Sequence, residues 1–386
     1  MKIVIVHARY VHRGGEDSVV DQEIELLQQA GHTVRLFERR NEVLTEMSPV
    51  RQASITIANH AVAEEFRAFL QEDPPDVVHV HNTFQVISPL VIRVAHQLGV
   101  PVVQTLHNYR LLCANGLLYR EDGACELCVT KSLKWPAIKF GCYRGKAGST
   151  AVALMLSRSR PIYREDVTRF VALTEFGKRK FIEGGLPAAR ITVKPNALLR
   201  DPGVGSGSGG YVLYVGRLSH EKGIQVLLEA WKSVRNQRML IVGTGPMEDE
   251  VRQRVAQLEG VQWLGKLEPS EVMKRMQDAA LMVLPSVCYE GLPMTIIEAL
   301  ACGTPVLTPN HGAMPGLGQE ASLTYEAPFE EQLATKLNEL LSHREGLAEL
   351  RPAARATYEA RYTPEQNLAS LEAIYRDAVA DCASKT

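Results

Sequence analysis

Short apolar runs rich in β-branched residues recur through the first half of the chain, at 2–7, 33–37, 76–81, 101–106 and 169–173. Amphipathic stretches lie between several of them. In 18–29, Val19, Val20, Ile24, Leu26 and Leu27 recur near helical spacing. Runs this apolar, separated by helical segments, predict parallel strands covered on both faces. The alternation restarts at 211–215, 239–242, 261–264, 281–284 and 305–307, and 365–381 carries Leu368, Leu371, Ile374, Tyr375 and Val379 on one side of a predicted helix. Between the halves lies Asp201-Pro-Gly-Val-Gly-Ser-Gly-Ser-Gly-Gly210, whose composition supports neither helix nor central strand and predicts a linker or hinge. The expected architecture is α/β, with two doubly wound parallel-sheet, Rossmann-like domains facing each other across a cleft. Residues 1–200 would form the first, with the helix 365–386 packing back on it, and 211–364 the second. Ligands of such sheets bind beyond the carboxyl ends of the strands.

The chain has 386 residues, 45% of them hydrophobic, which exceeds what one core usually holds and fits two domains. A formal net charge of -1 gives no global attraction to nucleic acid, and none is expected as a partner. No apolar run approaches the roughly 20 residues of a membrane span, and the N-terminus reads as a buried strand rather than a signal peptide. A cytoplasmic protein is expected, with the inner face of the membrane as a surface it could attach to.

Candidate chemistry concentrates in the second half. After the strand 211–215 come Gly216-Arg217-Leu-Ser-His-Glu-Lys222-Gly223, two cations near the start of a helix. Such groups can neutralise a diphosphate leaving group without a metal. The strand 281–284 leads to Glu290-Gly291-Leu292-Pro293-Met294-Thr295, then Glu298 about one turn into a helix. Amides of Gly291 to Thr295 at a helix start suit an anion or hydroxyl. Glu290 and Glu298 could hold the hydroxyls of a sugar and a ribose.

These segments, with Gly243-Thr-Gly245-Pro, resemble glycosyltransferase family four (group 1), retaining enzymes of the GT-B fold, in order and over nearly the whole chain. The resemblance implies transfer of a sugar from a nucleotide diphosphate donor to a hydroxyl of a glycan or lipid-linked acceptor, in polysaccharide or cell-surface glycan synthesis. No catalytic metal is implied. Arg217 and Lys222 would bind the diphosphate, Glu290 the donor sugar and Glu298 the ribose. Gly243 and Gly245 would let the nucleotide approach, and Lys266 and Leu267 would flank the base. In the first half the loop His12-Arg13-Gly14-Gly15-Glu16 would contact the diphosphate, and His107 would lie beside the transferred sugar. A nucleotide-sugar epimerase or hydrolase of the same fold, or a non-catalytic binding protein, are the alternatives.

Three further features stand apart. His79 and His81 share one face of a strand, but no carboxylate or third histidine of evident spacing accompanies them, which favours packing over a metal. Cys113, Cys125, Cys128 and Cys142 have a spacing compatible with a structural zinc, with thiols that merely pack, disulfides or an iron–sulfur cluster as the alternatives. Residues 129–164 hold eight Lys and Arg with Trp135, Phe140 and Tyr143 interleaved and no Asp or Glu. That patch suits an anionic membrane or a diphosphate-linked lipid.

Overall fold

A computed structural model describes all residues except His12, Asp122, Ala327–Phe329, Lys385 and Thr386. The chain divides into two compact units, one of Met1–Leu118, Glu126–Leu199 and Pro364–Thr386, the other of Tyr119–Cys125 and Arg200–Thr363.

The first unit carries strands β1 (Lys2–Arg9), β2 (Thr33–Arg40), β3 (Val77–Asn82) and β4 (Val102–Leu106). Its chain resumes, after a small antiparallel hairpin grouped with the second unit, β5 (Tyr119–Arg120) and β6 (Gly123–Ala124), with β7 (Arg169–Ala172) and β8 (Ile191–Val193). The main strands form one parallel sheet in the order β2-β1-β3-β4-β7-β8. The strand order reverses between β1 and β3, and in such sheets that is where ligands are admitted. Ile3 and Ile5 of β1 pack with Val20 and Leu27 of the helix Gly15–Gln29 and with Leu371, Ile374 and Tyr375 of the helix Pro364–Ala383. The C-terminal helix therefore completes the core of the unit that the N-terminus begins.

The second unit contains β9 (Val212–Val215), β10 (Met239–Val242), β11 (Val261–Trp263), β12 (Leu281–Val283), β13 (Val306–Pro309) and β14 (Ser322–Tyr325). They run parallel in the order β11-β10-β9-β12-β13-β14, a Rossmann order whose reversal lies between β9 and β12. Tyr214, Leu227, Trp231, Ile241 and Val283 build its core.

The glycine-rich stretch 203–210 is not the free hinge its composition predicts. The amides of Gly205, Gly207 and Gly209 donate to the carbonyls of Cys302, Gln277 and Asp278 at 2.9–3.0 Å. A Cβ on Gly205 would stand 2.1 Å from the Gln277 carbonyl oxygen. Glycine is required here because two backbones touch. The buried Arg351 guanidinium locks the arrangement by donating to the carbonyls of Gly205, Gln277, Ala279 and Cys302 at 3.0–3.1 Å. Arg351→Met keeps most of the apolar stem but strands these acceptors. Leaving a buried polar group unpaired costs about 1–3 kcal/mol, so a clear fall in the thermal midpoint by circular dichroism is expected. An unchanged midpoint would mean that Arg351 does not hold the segment.

Candidate functional site

In the second unit, β9 and β12 end side by side, and the loops leaving them are stitched together. The Val287 amide donates to the Glu221 carbonyl at 3.0 Å. Tyr214 of β9, fully buried, donates its hydroxyl to the Arg217 carbonyl at 2.9 Å. Gly223 turns with φ +69, and a Cβ there would meet the Pro285 carbonyl oxygen at 1.9 Å. The two loops approach this closely only with glycine at that position.

The structure brings Lys222 and Glu290 into contact, Nζ to Oε1 at 2.6 Å, and Ser286 donates its hydroxyl to the same oxygen at 2.6 Å. Burial would lower the Lys222 ammonium, but the Glu290 carboxylate outweighs it and the net shift is upward. Lys222 is thus a firmly held cation. Arg217 is exposed, and among the described residues its guanidinium makes no ion pair. The helix Met294–Ala301 follows, with Pro293 at the position before its first residue and no side chain capping it. Its first-turn residues Met294 and Thr295, and Gly291 before it, are half-buried, while Leu292 is buried. Glu298 lies in this helix, and burial alone pushes its carboxyl up to about 7.

Gly243 and Gly245 are explained by the chain itself. A Cβ on Gly243 would stand 1.9 Å from the Gly216 carbonyl oxygen, and one on Gly245 would be 2.4 Å from that of Leu218. The Gly265 carbonyl accepts from the Gly243 amide at 2.8 Å, which sets the exposed Lys266 and half-buried Leu267 beside the ends of β10 and β9. Ser286 was not legible as a site residue. Neither was His311, whose ring bonds the Ser286 carbonyl at 2.9 Å.

In the first unit, Gly14 precedes the helix Gly15–Gln29, and its amide donates to Asp17 at 3.0 Å. Gly14 and Gly15 are exposed, and nothing lies within 4 Å of a Cβ built on Gly14. His12 lies outside the described residues. His107 lines an open pocket with Tyr10, His81, Gln104, Asn108 and Arg110. At its rim Glu16 accepts from the Tyr10 hydroxyl at 3.0 Å and from Asn108 Nδ2 at 3.2 Å. Burial pushes the Glu16 carboxyl up to about 7.

The sequence reading of His79 and His81 needs correction, because a carboxylate does accompany them. Glu23, from the first helix, stands 3.0 Å from His79 Nδ1 and 3.1 Å from His81 Nε2. The spacing was invisible because helix and strand meet only in the fold. Among the described residues no three of the four cysteines bring their sulfurs within 4.8 Å of one another. The Cys113 thiol donates to Asn115 Oδ1 at 2.9 Å, and burial pushes the Cys128 thiol up to about 11.

Two Rossmann-like units, each with a polar cluster at the carboxyl ends of its strands, define the GT-B class. The pattern of the Glycosyl transferase 4-like domain matches residues 14–197, and that of Glycosyl transferases group 1 matches 205–357. The chain belongs to this glycosyltransferase family. The amylovoran biosynthesis glycosyltransferase AmsK of Erwinia amylovora is 30% identical over 213 residues, 49% of this chain and 51% of AmsK. A 2-deoxystreptamine glucosyltransferase of Streptomyces kanamyceticus is 27% identical over 305 residues, 72% of this chain and 73% of that protein. The match spans about half of AmsK and under a third of several other curated relatives. In fold, HepE of Anabaena, solved in complex with UDP, aligns with TM-score 0.67 at 17% identity over 97% of this chain and 99% of its own. Sucrose-phosphate synthase of Thermosynechococcus elongatus gives 0.72 at 18% identity, over 98% and 99%.

The raised Glu298 carboxyl predicts a pH effect. Its folded value is about 7, so between the ordinary carboxylate range and that value the folded state binds more protons than the unfolded chain. Stability then falls as pH rises through this window and levels above it. Glu298→Gln removes this contribution, so the variant should match the wild type in acid and exceed its thermal midpoint above neutrality. Equal midpoints at every pH would exclude a buried Glu298 carboxyl.

Proposed function

We propose that the protein is a retaining glycosyltransferase that moves a sugar from a nucleotide diphosphate donor to a hydroxyl of a glycan or lipid-linked acceptor, in polysaccharide synthesis. The observation that carries this reading is the cluster of Lys222, Ser286 and Glu290 at the strand-order reversal, beside an uncapped helix N-terminus, with the exposed Arg217 on the loop that carries Lys222. The work of AmsK in amylovoran biosynthesis supports the biosynthetic setting.

In this mechanism the bond from the anomeric carbon to the diphosphate oxygen breaks as the acceptor oxygen bonds to the same face of that carbon. The acceptor proton passes to an oxygen of the departing diphosphate. Arg217 and Lys222 balance the charge that builds on the leaving group, and the first turn of Met294–Ala301 adds its amides. Glu290, held by Lys222 and Ser286, accepts from hydroxyls of the donor sugar. Glu298 accepts from the ribose, where its buried carboxyl would ionise on binding the diol. Gly14 and Gly15 leave open space for a phosphate at the start of the first helix, and Lys266 and Leu267 flank the base. His107 borders the sugar.

Arg217→Ala or Lys222→Ala should lower turnover by about a hundredfold or more, as loss of a preorganised charge-stabilising donor does, with an unchanged circular dichroism spectrum. Product of the donor's own anomeric configuration, seen by NMR, would support retention. Inversion, or full consumption of donor without acceptor, would overturn the assignment.

The acceptor side supports a membrane-borne partner. Leu127, Leu133, Trp135 and Phe140 are 50%, 45%, 51% and 43% exposed, and Lys131, Lys139, Arg144 and Lys146 are exposed around them. Among the described residues no helix is long and apolar enough to cross a membrane. Peripheral attachment to anionic lipid is the proposed role of this face. Each basic residue near such a surface contributes about 1 kcal/mol, so reversing Lys139 and Lys146 to Glu should cut sedimentation with anionic vesicles about tenfold or more. Equal sedimentation of variant and wild type would remove this face from membrane binding.

A further inference from the structure

A line of buried polar groups runs from the interior of the first unit to His107. Lys194, just after β8, sets its ammonium 3.2 Å from Glu23 Oε2. Glu23 Oε1 faces His81 Nε2 at 3.1 Å, and His81 Nδ1 faces His107 Nε2 at 2.8 Å. Lys194, Glu23 and His81 are all buried, and His107 closes the line at the cavity that it and His81 share.

A metal ion does not suit this cluster, although Glu23, His79 and His81 bring ligand atoms within 4.8 Å of one another. Both ring nitrogens of His79 are engaged, with the Tyr375 hydroxyl at 2.7 Å and that of Thr105 at 2.8 Å. The Lys194 ammonium already stands where a cation would neutralise Glu23.

The contacts decide where the protons sit. His81 Nε2 and Glu23 Oε1 are buried, and neither has a well-aligned hydrogen-bond partner, so what relates them is their 3.1 Å separation, with His79 Nδ1 3.0 Å from the same carboxylate oxygen. A ring lone pair 3.1 Å from a carboxylate oxygen would be repelled, whereas an N–H is attracted, so His81 carries its proton on Nε2. Its Nδ1 must then accept, and the donor facing it is His107 Nε2. We infer that Glu23 and His81 are positioning residues that fix the tautomer of His107, leaving Nδ1 with the lone pair to accept from a substrate hydroxyl. Burial lowers His81 to about 3 and holds His107 well below the ordinary imidazole range, so neither ring carries a charge at neutral pH. His107 then serves as a hydrogen-bond acceptor and not as the acid that protonates a leaving group. This use of His107 rests on the proposed glycosyl transfer, but the tautomer itself does not.

Nitrogen NMR of protein labelled with ¹⁵N-histidine tests it, with the signals of His107 identified by their loss in His107→Gln. A proton on Nε2 and none on Nδ1 in the wild type is expected. A proton on Nδ1, or on both nitrogens, would overturn the inference without any variant. In Glu23→Gln/Lys194→Met, which keeps the interior neutral, a glutamine amide can donate to His81 Nε2. Both rings should then switch, moving the His107 proton to Nδ1, and kcat should fall on the order of tenfold with the donor KM within about twofold. An unchanged His107 tautomer in the folded double variant excludes the relay. The expected tautomers in a protein that consumes no nucleotide sugar would sustain the relay and overturn the proposed function.

Discussion

A carboxylate cannot be taken out of water alone, and Glu23 is taken out completely. Its charge is tolerable only because Lys194, His79 and His81 converge on it from two separate stretches of chain. Asn367 and Tyr375 of the C-terminal helix close the same network through Lys194 and His79. Removing one partner from a buried ion pair typically costs about 3–5 kcal/mol, so these segments are committed to one arrangement. The first helix, β3, the end of β8 and the last helix are therefore aligned by electrostatics as well as by the apolar contacts of Leu371 and Ile374. The position of His107 inherits that rigidity.

The second unit solves its problem differently. Its reactive side chains sit on loops, which are kept still by backbone packed on backbone. Gly223 against Pro285 and Gly243 against Gly216 bring neighbouring loops into contact, and Glu221 and Tyr214 tie them by hydrogen bonds to main-chain groups. Arg217 extends from these loops into solvent.

The fold was legible because parallel strands buried on both faces leave uninterrupted apolar runs. The strands overlooked in sequence, β8 and β14, lie at sheet edges; β8 has only three residues and β14 carries Ser322 and Thr324. The meeting of Lys222 with Glu290 was foreshadowed too, since both lie on loops that leave neighbouring strands. Asn108 and Glu23 were not, because each gains its meaning from a partner far along the chain, and Ser286 was not, although the Glu290 carboxylate it holds is only four residues on. The glycines misled in an instructive way. Composition marks a residue without a side chain but does not say whether a ligand, open solvent or another stretch of backbone fills the space. At Gly243 and Gly205 it is backbone.

The return of Pro364–Ala383 to the first unit, and the docking of residues 203–210 on the second, divide the chain in a way that bears on its inheritance. The covalent order of the polypeptide and the borders of its cooperative parts do not coincide. A recombination that exchanged everything after residue 200 with a relative would carry away the helix that completes the core around Ile3 and Ile5. An exchange bounded at 200 and 363 would move all of the second unit except Tyr119–Cys125, with its glycine strap attached. Shuffling of the second unit among such proteins would be tolerated as an internal insertion and not as a swapped tail.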